Sequence, residues 1–279
     1  MVTDAADVTN VPDLRAGRPE LVVPTGPPIL PGLEGTPELE FQPAVDLHNG
    51  RLLGFEALLR WRDGSGRRVP PNVLIPQAEA MGHMDLLSQW VLTEACAQAA
   101  LWPSDLQIAV NCSVLQLRRG NAAVAVASAI EQSALKPDRL TVEVTEVSLA
   151  DDEATADMRV MTRLGILLTV DDVGDDWSVM DRLRDRAVST VKIEAALIAG
   201  LGDADGSNRR SVETIVALGR SLGVCTVAEA VETGQQVAIL RELGVDTAQG
   251  YFFSHPMPAA EALELATLDP RATFALSGP

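Results

Sequence analysis

Leu39-Glu40-Phe41-Gln42-Pro43-Ala44-Val45-Asp46 and Leu52-Leu53-Gly54-Phe55-Glu56-Ala57-Leu58-Leu59-Arg60 are two strand-like runs joined by a connection containing His48-Asn49-Gly50. That tripeptide is a turn signal, so the two runs read as a hairpin. A parallel pair would need a crossover of about a dozen residues or more, so the hairpin is antiparallel. Downstream the pattern changes. Strand-like runs recur at 107–112, 140–145, 165–171, 190–193, 225–231 and 247–253. Helical patterns at 84–101, 121–133, 153–163, 207–222 and 233–243 separate most of them. Repeated βα units favour a parallel sheet. The sum predicts an α/β fold, a TIM-like (β/α)8 barrel with one antiparallel strand. An open doubly wound sheet with a nucleotide site would show a glycine-rich turn after an early strand, and the required place has none.

The composition agrees with parallel strands covered by helices. Hydrophobic residues make up 47% of the 279, yet aromatics only 4%. Such a chain suits buried strands of Val, Leu, Ile and Ala better than an aromatic binding groove. The formal net charge is −17, a poor platform for DNA, RNA or anionic lipid. An anionic ligand would need a local site, and metal cations are the simplest device for one. Cys96, Cys112 and Cys225 lie in apolar runs without C-x-x-C spacing, which predicts buried structural thiols in a reducing cytoplasm. The sequence contains neither a ~20-residue apolar span nor a basic-then-apolar leader, so neither membrane insertion nor secretion is expected. Residues 1–36 are broken by prolines and read as a flexible tail or linker from an upstream domain, with residues 37–279 as the barrel domain.

Polar and charged residues interrupt otherwise apolar strands: Glu56, Asn111, Glu143, Asp171, Asp172, Lys192, Glu229 and Gln249. One strand carboxylate most often faces solvent or pairs with an arginine. Here the pattern recurs near the C-terminal end of most strands, the face where barrel enzymes keep their sites. Clustered carboxylates need cations or protons. Five carboxylates and one lysine leave a charge of −4, which two divalent ions would match. An all-oxygen donor set favours Mg²⁺ or Mn²⁺ over structural Zn²⁺. Two metals suit hydrolysis of a phosphodiester. Glycoside hydrolysis fits poorly, because the chain has few aromatics for a sugar platform. Burial would lower the pKa of Lys192 and neighbouring carboxylates would raise it, leaving a base or a protonated water-positioning group as the two alternatives.

Phe41-Gln42-Pro43 and Gly54-Phe55-Glu56-Ala57-Leu58-Leu59-Arg60-Trp61 resemble the opening of an EAL domain. Val110-Asn111-Cys112-Ser113, Val142-Glu143-Val144-Thr145-Glu146, Val170-Asp171-Asp172-Val173-Gly174, Val191-Lys192-Ile193-Glu194, Val227-Ala228-Glu229-Ala230-Val231-Glu232-Thr233 and Gln249-Gly250-Tyr251 follow in the family's order. The resemblance implies a cyclic di-GMP phosphodiesterase yielding linear pGpG, or a catalytically weak or inactive cyclic di-GMP receptor. It implies Glu56, Asn111, Glu143 and Asp171 around one metal, and Asp171, Asp172 and Glu229 around a second. Lys192, Glu56, Glu229 and Gln249 would be the catalytic group, with Gln249 also holding water or phosphate. Gln42, Leu58 and Arg60 would contact the dinucleotide, Arg60 through a phosphate. Glu146 would anchor the loop after its strand, while Glu194 and Glu232 would support the site. A homodimer and an upstream sensory domain or partner protein are further family expectations. Three departures bear on turnover. Val173-Gly174-Asp175-Asp176-Trp177-Ser178-Val179-Met180 stands where active members read Phe-Gly-Thr-Gly-(Tyr/Phe)-Ser-Ser-Leu. Glu194 stands for aspartate, and Ala230 for glycine.

Overall fold

The structure is a computed structural model that describes residues 26–103, 105–174, 188–204, 206–268 and 274–276. The hairpin forms as expected. β1 (Gly35–Asp46) and β2 (Leu52–Asp63) pair antiparallel, with Glu40 opposite Leu58 and Gln42 opposite Glu56. Their turn is built by short polar side chains. Asp46 Oδ1 accepts the amide of His48 at 2.7 Å, and Asn49 Oδ1 accepts that of Arg51 at 2.8 Å. Gly50 closes it with φ +77°, a conformation that an L side chain resists.

β2 also pairs with the two-residue β3 (Arg68–Val69). The parallel series then runs through β4 (Gln107–Asn111), β5 (Leu140–Thr145), β6 (Leu167–Val173), β7 (Thr190–Ile193), β8 (Cys225–Ala228) and β9 (Thr247–Ala248). β9 returns to β1, closing eight strands into a barrel in which β1 is antiparallel to both neighbours. β10 (Met257–Pro258) adds a short antiparallel contact to β1.

Five expected helices occur, at Met84–Ala100, Ala122–Ser133, Asp152–Arg163, Ser207–Leu222 and Gly234–Leu243. Gly234–Leu243 starts at a capping box in which Thr233 and Gln236 satisfy each other's backbone amides. Pro71–Ala80 is a helix that the sequence hid, because Pro70, Pro71 and Pro76 read as breakers. Pro71 instead occupies the first helical position, where its missing N–H is no loss. Strand ends also differ from expectation. β8 stops at Ala228 and β9 at Ala248, so Glu229 and Gln249 sit just past the strands rather than within them.

The core lies between barrel and helices. Trp102 packs edge-on to Phe41 at 5.7 Å and against Phe55 at 4.7 Å. Buried Arg139 donates to the carbonyls of Ala99 at 2.7 Å and Leu106 at 2.8 Å, tying the end of Met84–Ala100 to the approach to β4. Leu30 packs with Trp61, Leu74 and Leu87, so ordered contacts begin before β1, while residues 1–25 of the expected tail lie outside the described residues. No helix among the described residues is long and apolar enough to cross a membrane. All three cysteines are unpaired, but Cys225 is exposed at the start of β8, not buried as expected, because its side of the strand faces the barrel lumen.

Gly54 marks a close approach of β2 to β4. A Cβ there would lie 2.2 Å from the carbonyl oxygen of Gln107. Gly54→Ala is expected to lower stability by about 1–3 kcal/mol, since backbone must shift to admit the methyl. Urea unfolding measures this, and an unchanged midpoint would show that the strands part freely.

Candidate functional site

The barrel alternation turns every second residue of a strand inward. It brings Glu56 from β2, Asn111 from β4, Glu143 from β5, Asp171 from β6 and Lys192 from β7 to one end of the lumen. Glu229 and Gln249 join them from just beyond β8 and β9. Lys192 is 2% exposed and forms the hub. Its Nζ lies 2.6 Å from Glu229 Oε1, 3.0 Å from Glu143 Oε2, 3.1 Å from Glu56 Oε2 and 3.8 Å from Asp171 Oδ1. Glu56 is the second hub. Asn111 Nδ2 donates to its Oε1 at 2.8 Å, and Gln249 Nε2 to its Oε2 at 2.7 Å. Gln249 also donates to Glu229 at 3.1 Å.

These contacts divide the carboxylates. Burial alone would push Glu56 up, but Lys192, Gln249 and Asn111 together hold it below its ordinary value. Burial and then the charge of Glu56 push Glu143 well above the usual carboxylate range. Burial raises Asp171 despite Lys192, with Asp172 adding to the rise. Burial carries Glu229 to about 7. Lys192 resolves its two alternatives in the metal-free protein. Burial would lower it, yet Glu143, Glu56, Glu229 and Asp171 outweigh that and hold it well above its ordinary value. The direction favours the protonated, water-positioning alternative.

Asp171, Asp172 and Glu229 each offer an oxygen within 4.8 Å of the others, so the donor set fits a hard divalent cation. Asp172 adopts φ +59°. Asp and Asn tolerate that left-handed conformation better than other residues. Of the residues expected around the other metal, Asn111 donates to Glu56, Glu56 also accepts from Lys192 and Gln249, and Glu143 accepts from Lys192.

The remaining expected residues sit around this centre. Gln42, Leu58, Glu232 and Tyr251 line a cavity of about 340 Å³ with Glu56, Glu229 and Gln249. Arg60 and Leu58 border a second, mainly apolar cavity of about 310 Å³ with Pro71, Ile75 and Leu87. Glu194 packs against Gly174, where a Cβ would meet its Oε2 at 2.5 Å. Glu146 opens the short 3₁₀ turn Glu146–Ala150 after β5. Glu232 is exposed. The altered loop lies outside the described residues from Asp175 onward.

Sequence reasoning missed Glu40 and Arg68. Glu40 is buried and accepts Arg60 Nε at 2.7 Å on one oxygen and Arg68 on the other. The two guanidinium groups overcome its burial and hold it below its ordinary value. The signal was the hairpin register, which sets Glu38 and Glu40 beside Arg60 and Arg62.

A family model described as EAL domain matches residues 33–256. The chain is 37% identical over 232 residues to the bifunctional diguanylate cyclase/cyclic di-GMP phosphodiesterase MucR of Pseudomonas aeruginosa, covering 81% of this chain and 34% of that protein. It is 35% identical over 233 residues to the oxygen sensor protein DosP of Escherichia coli, covering 80% and 29%. It therefore spans about a third of the length of these curated relatives. Among solved structures, the PaMucR phosphodiesterase in complex with c-di-GMP superposes with a TM-score of 0.76 at 35% identity, covering 81% of this chain and 93% of that one.

Two outcomes are expected. Glu229, Glu143 and Asp171 bind protons more tightly folded than unfolded, so the metal-free protein gains stability from them at low pH. For Glu229 that gain is lost as pH rises from 4.5 to about 7. Thermal unfolding after chelation should show a midpoint falling over that window, with a shallower fall in Glu229→Gln; a flat profile would contradict the clustering. Ala230 holds φ +49° beside Glu229. Ala230→Gly is expected to stabilise by up to about 1 kcal/mol in thermal unfolding, strain relief exceeding the added chain entropy.

Proposed function

Because the chain belongs to the EAL domain family, we propose that it hydrolyses cyclic di-GMP to linear pGpG with divalent ions. The observation that carries this reading is Lys192 buried among Glu56, Glu143, Glu229 and Asp171, beside the cluster of Asp171, Asp172 and Glu229. That much negative charge at one end of a barrel repels a phosphodiester unless cations intervene.

Asp171, Asp172 and Glu229 would hold one ion. Glu56, Asn111, Glu143 and Asp171 would hold the other. Bound Mg²⁺ or Mn²⁺ supplies charge neutralisation for the phosphodiester and makes water more acidic. The chain's own residues do the rest. Arg60 faces the anionic ligand with its Nε fixed by Glu40, so its guanidinium meets a phosphate oxygen in one orientation. Lys192 Nζ keeps its protons and orients the attacking water by donating to it. Gln249 Nε2 sits between Glu56 and Glu229, where it can donate to the same water or to a phosphate oxygen. The apolar walls of the 310 Å³ cavity suit the flat face of a purine. Tyr251, the chain's one tyrosine, is exposed at the rim of the other cavity and offers a stacking surface.

A catalytically weak or inactive cyclic di-GMP receptor is the second reading. The strained Ala230 next to Glu229 favours it, because the backbone carrying a metal-binding carboxylate is held in a conformation that a glycine would adopt freely. The free cysteines support a cytoplasmic setting. The length of the relatives supports an upstream sensory domain or partner protein, with a homodimer as the family expectation.

Purified protein incubated with cyclic di-GMP and Mg²⁺ or Mn²⁺ should yield pGpG, and Glu56→Ala should lower the rate at least ~10³-fold, a transition-state loss of about 4 kcal/mol. Intact nucleotide recovered from a tight complex would favour the receptor. Neither binding nor turnover would overturn both.

A further inference from the structure

Each residue that reaches the charged centre from a barrel strand stands two positions after a small one. Gly54 precedes Glu56, Ala109 precedes Asn111, Thr141 precedes Glu143 and Thr169 precedes Asp171. Thr190 precedes Lys192, Val227 precedes Glu229 and Thr247 precedes Gln249. Two positions is one full step of strand alternation, so the row beneath the charges is made of Gly, Ala, Thr and Val. Barrels of this type ordinarily fill that layer with Val, Ile and Leu, and of these the row has Val227 alone. Here the row lines a cavity of about 270 Å³ whose ceiling is Glu56, Glu143, Lys192 and Gln249.

Accessibility says where the cavity leads. Ala109, Thr190 and Val227 are half-buried, whereas their strand neighbours Ile108, Val110, Val191 and Ala228, on the helix side of the wall, are buried. Solvent therefore touches these strands from inside the barrel. One step further down, Gln107 and Cys225 line the same cavity and are exposed. The opening lies at the N-terminal ends of the strands, opposite the face that carries Arg60 and Tyr251.

We propose that the barrel lumen is a rear solvent entrance to the carboxylate–lysine centre, holding water and admitting small cations from the N-terminal face. At roughly 30 Å³ per molecule the cavity has room for several waters, and its threonine hydroxyls and charged ceiling offer them partners. The acidic ceiling favours cations over anions. If the centre hydrolyses a dinucleotide lying across the front face, which rests on the function proposed above, the lumen supplies water while the front is covered.

Substituted-cysteine labelling tests the entrance without any assay of turnover. Ala109→Cys, made together with Cys225→Ser, places a thiol in the small-residue row, and Val227→Cys does the same on another strand should the first variant fold poorly. The cationic methanethiosulfonate ethylammonium reagent should modify the new thiol at least ~10-fold faster than the anionic ethylsulfonate reagent. It should also modify it faster than fully buried Cys96, with site-resolved mass spectrometry as the readout. Saturating cyclic di-GMP should leave that rate unchanged. In Ala109→Cys alone, prior benzyl labelling of Cys225 should suppress modification at 109. A thiol at 109 as inert as Cys96, one protected by the nucleotide, or one indifferent to the block at Cys225 would overturn the proposal. Failure of the wild-type protein to bind cyclic di-GMP would count against the proposed function alone, since the labelling and blocking comparisons need no nucleotide.

Discussion

The ammonium of Lys192, buried among four carboxylates, is the constraint around which the rest of the barrel is arranged. A lysine that deep is tolerated because its charge is matched at 2.6–3.8 Å on several sides. Those carboxylates are tolerated because of the lysine and of amide donors from Asn111 and Gln249. Removing any one partner leaves charge without compensation. The centre is thus a mutual arrangement of seven side chains drawn from seven strands or strand ends, and it requires the barrel to close.

The arrangement is poised for exchange. One ammonium and the amide donors of Asn111 and Gln249 offset carboxylate charge that divalent ions would also offset. A cation held by Asp171, Asp172 and Glu229 would compete with the proton of Glu229, whose carboxyl is carried to about 7, so metal uptake and proton release would be linked there. Relatives matched over most of this chain are much longer, and the barrel is one module among others in them.

The charged strand ends were legible in the sequence because a charge inside an apolar run is conspicuous. The hairpin was legible from His48-Asn49-Gly50. The ion-pair geometry was not, since spacing along a strand says which face a side chain takes but not which neighbour it meets. Glu40 drew no notice in the sequence; the β1–β2 register sets it near Arg60, and the pairing of β3 with β2 brings Arg68 to its other oxygen. Pro76 disguised a helix. Cys225 was misread because an apolar run implied burial, whereas the lumen behind it is open. The small-residue row was in plain view, but its meaning depends on knowing that the strands close into a ring.

The reversed first strand has a mechanical consequence. In a barrel of eight parallel strands the chain would enter β1 from the N-terminal face, far from the chemistry. Here β1 runs the other way, so Gly35 pairs with Asp63 and Glu38 with Arg60 at the C-terminal face. Any segment joined ahead of Gly35 is hinged at the rim of the site. A load arriving along it would meet first the packing of Leu30 on Trp61, Leu74 and Leu87, and then the strand that carries Glu38 and Glu40, whose Glu40 holds Arg60. Chain entry and the Glu40–Arg60 pair therefore share one rim of the barrel.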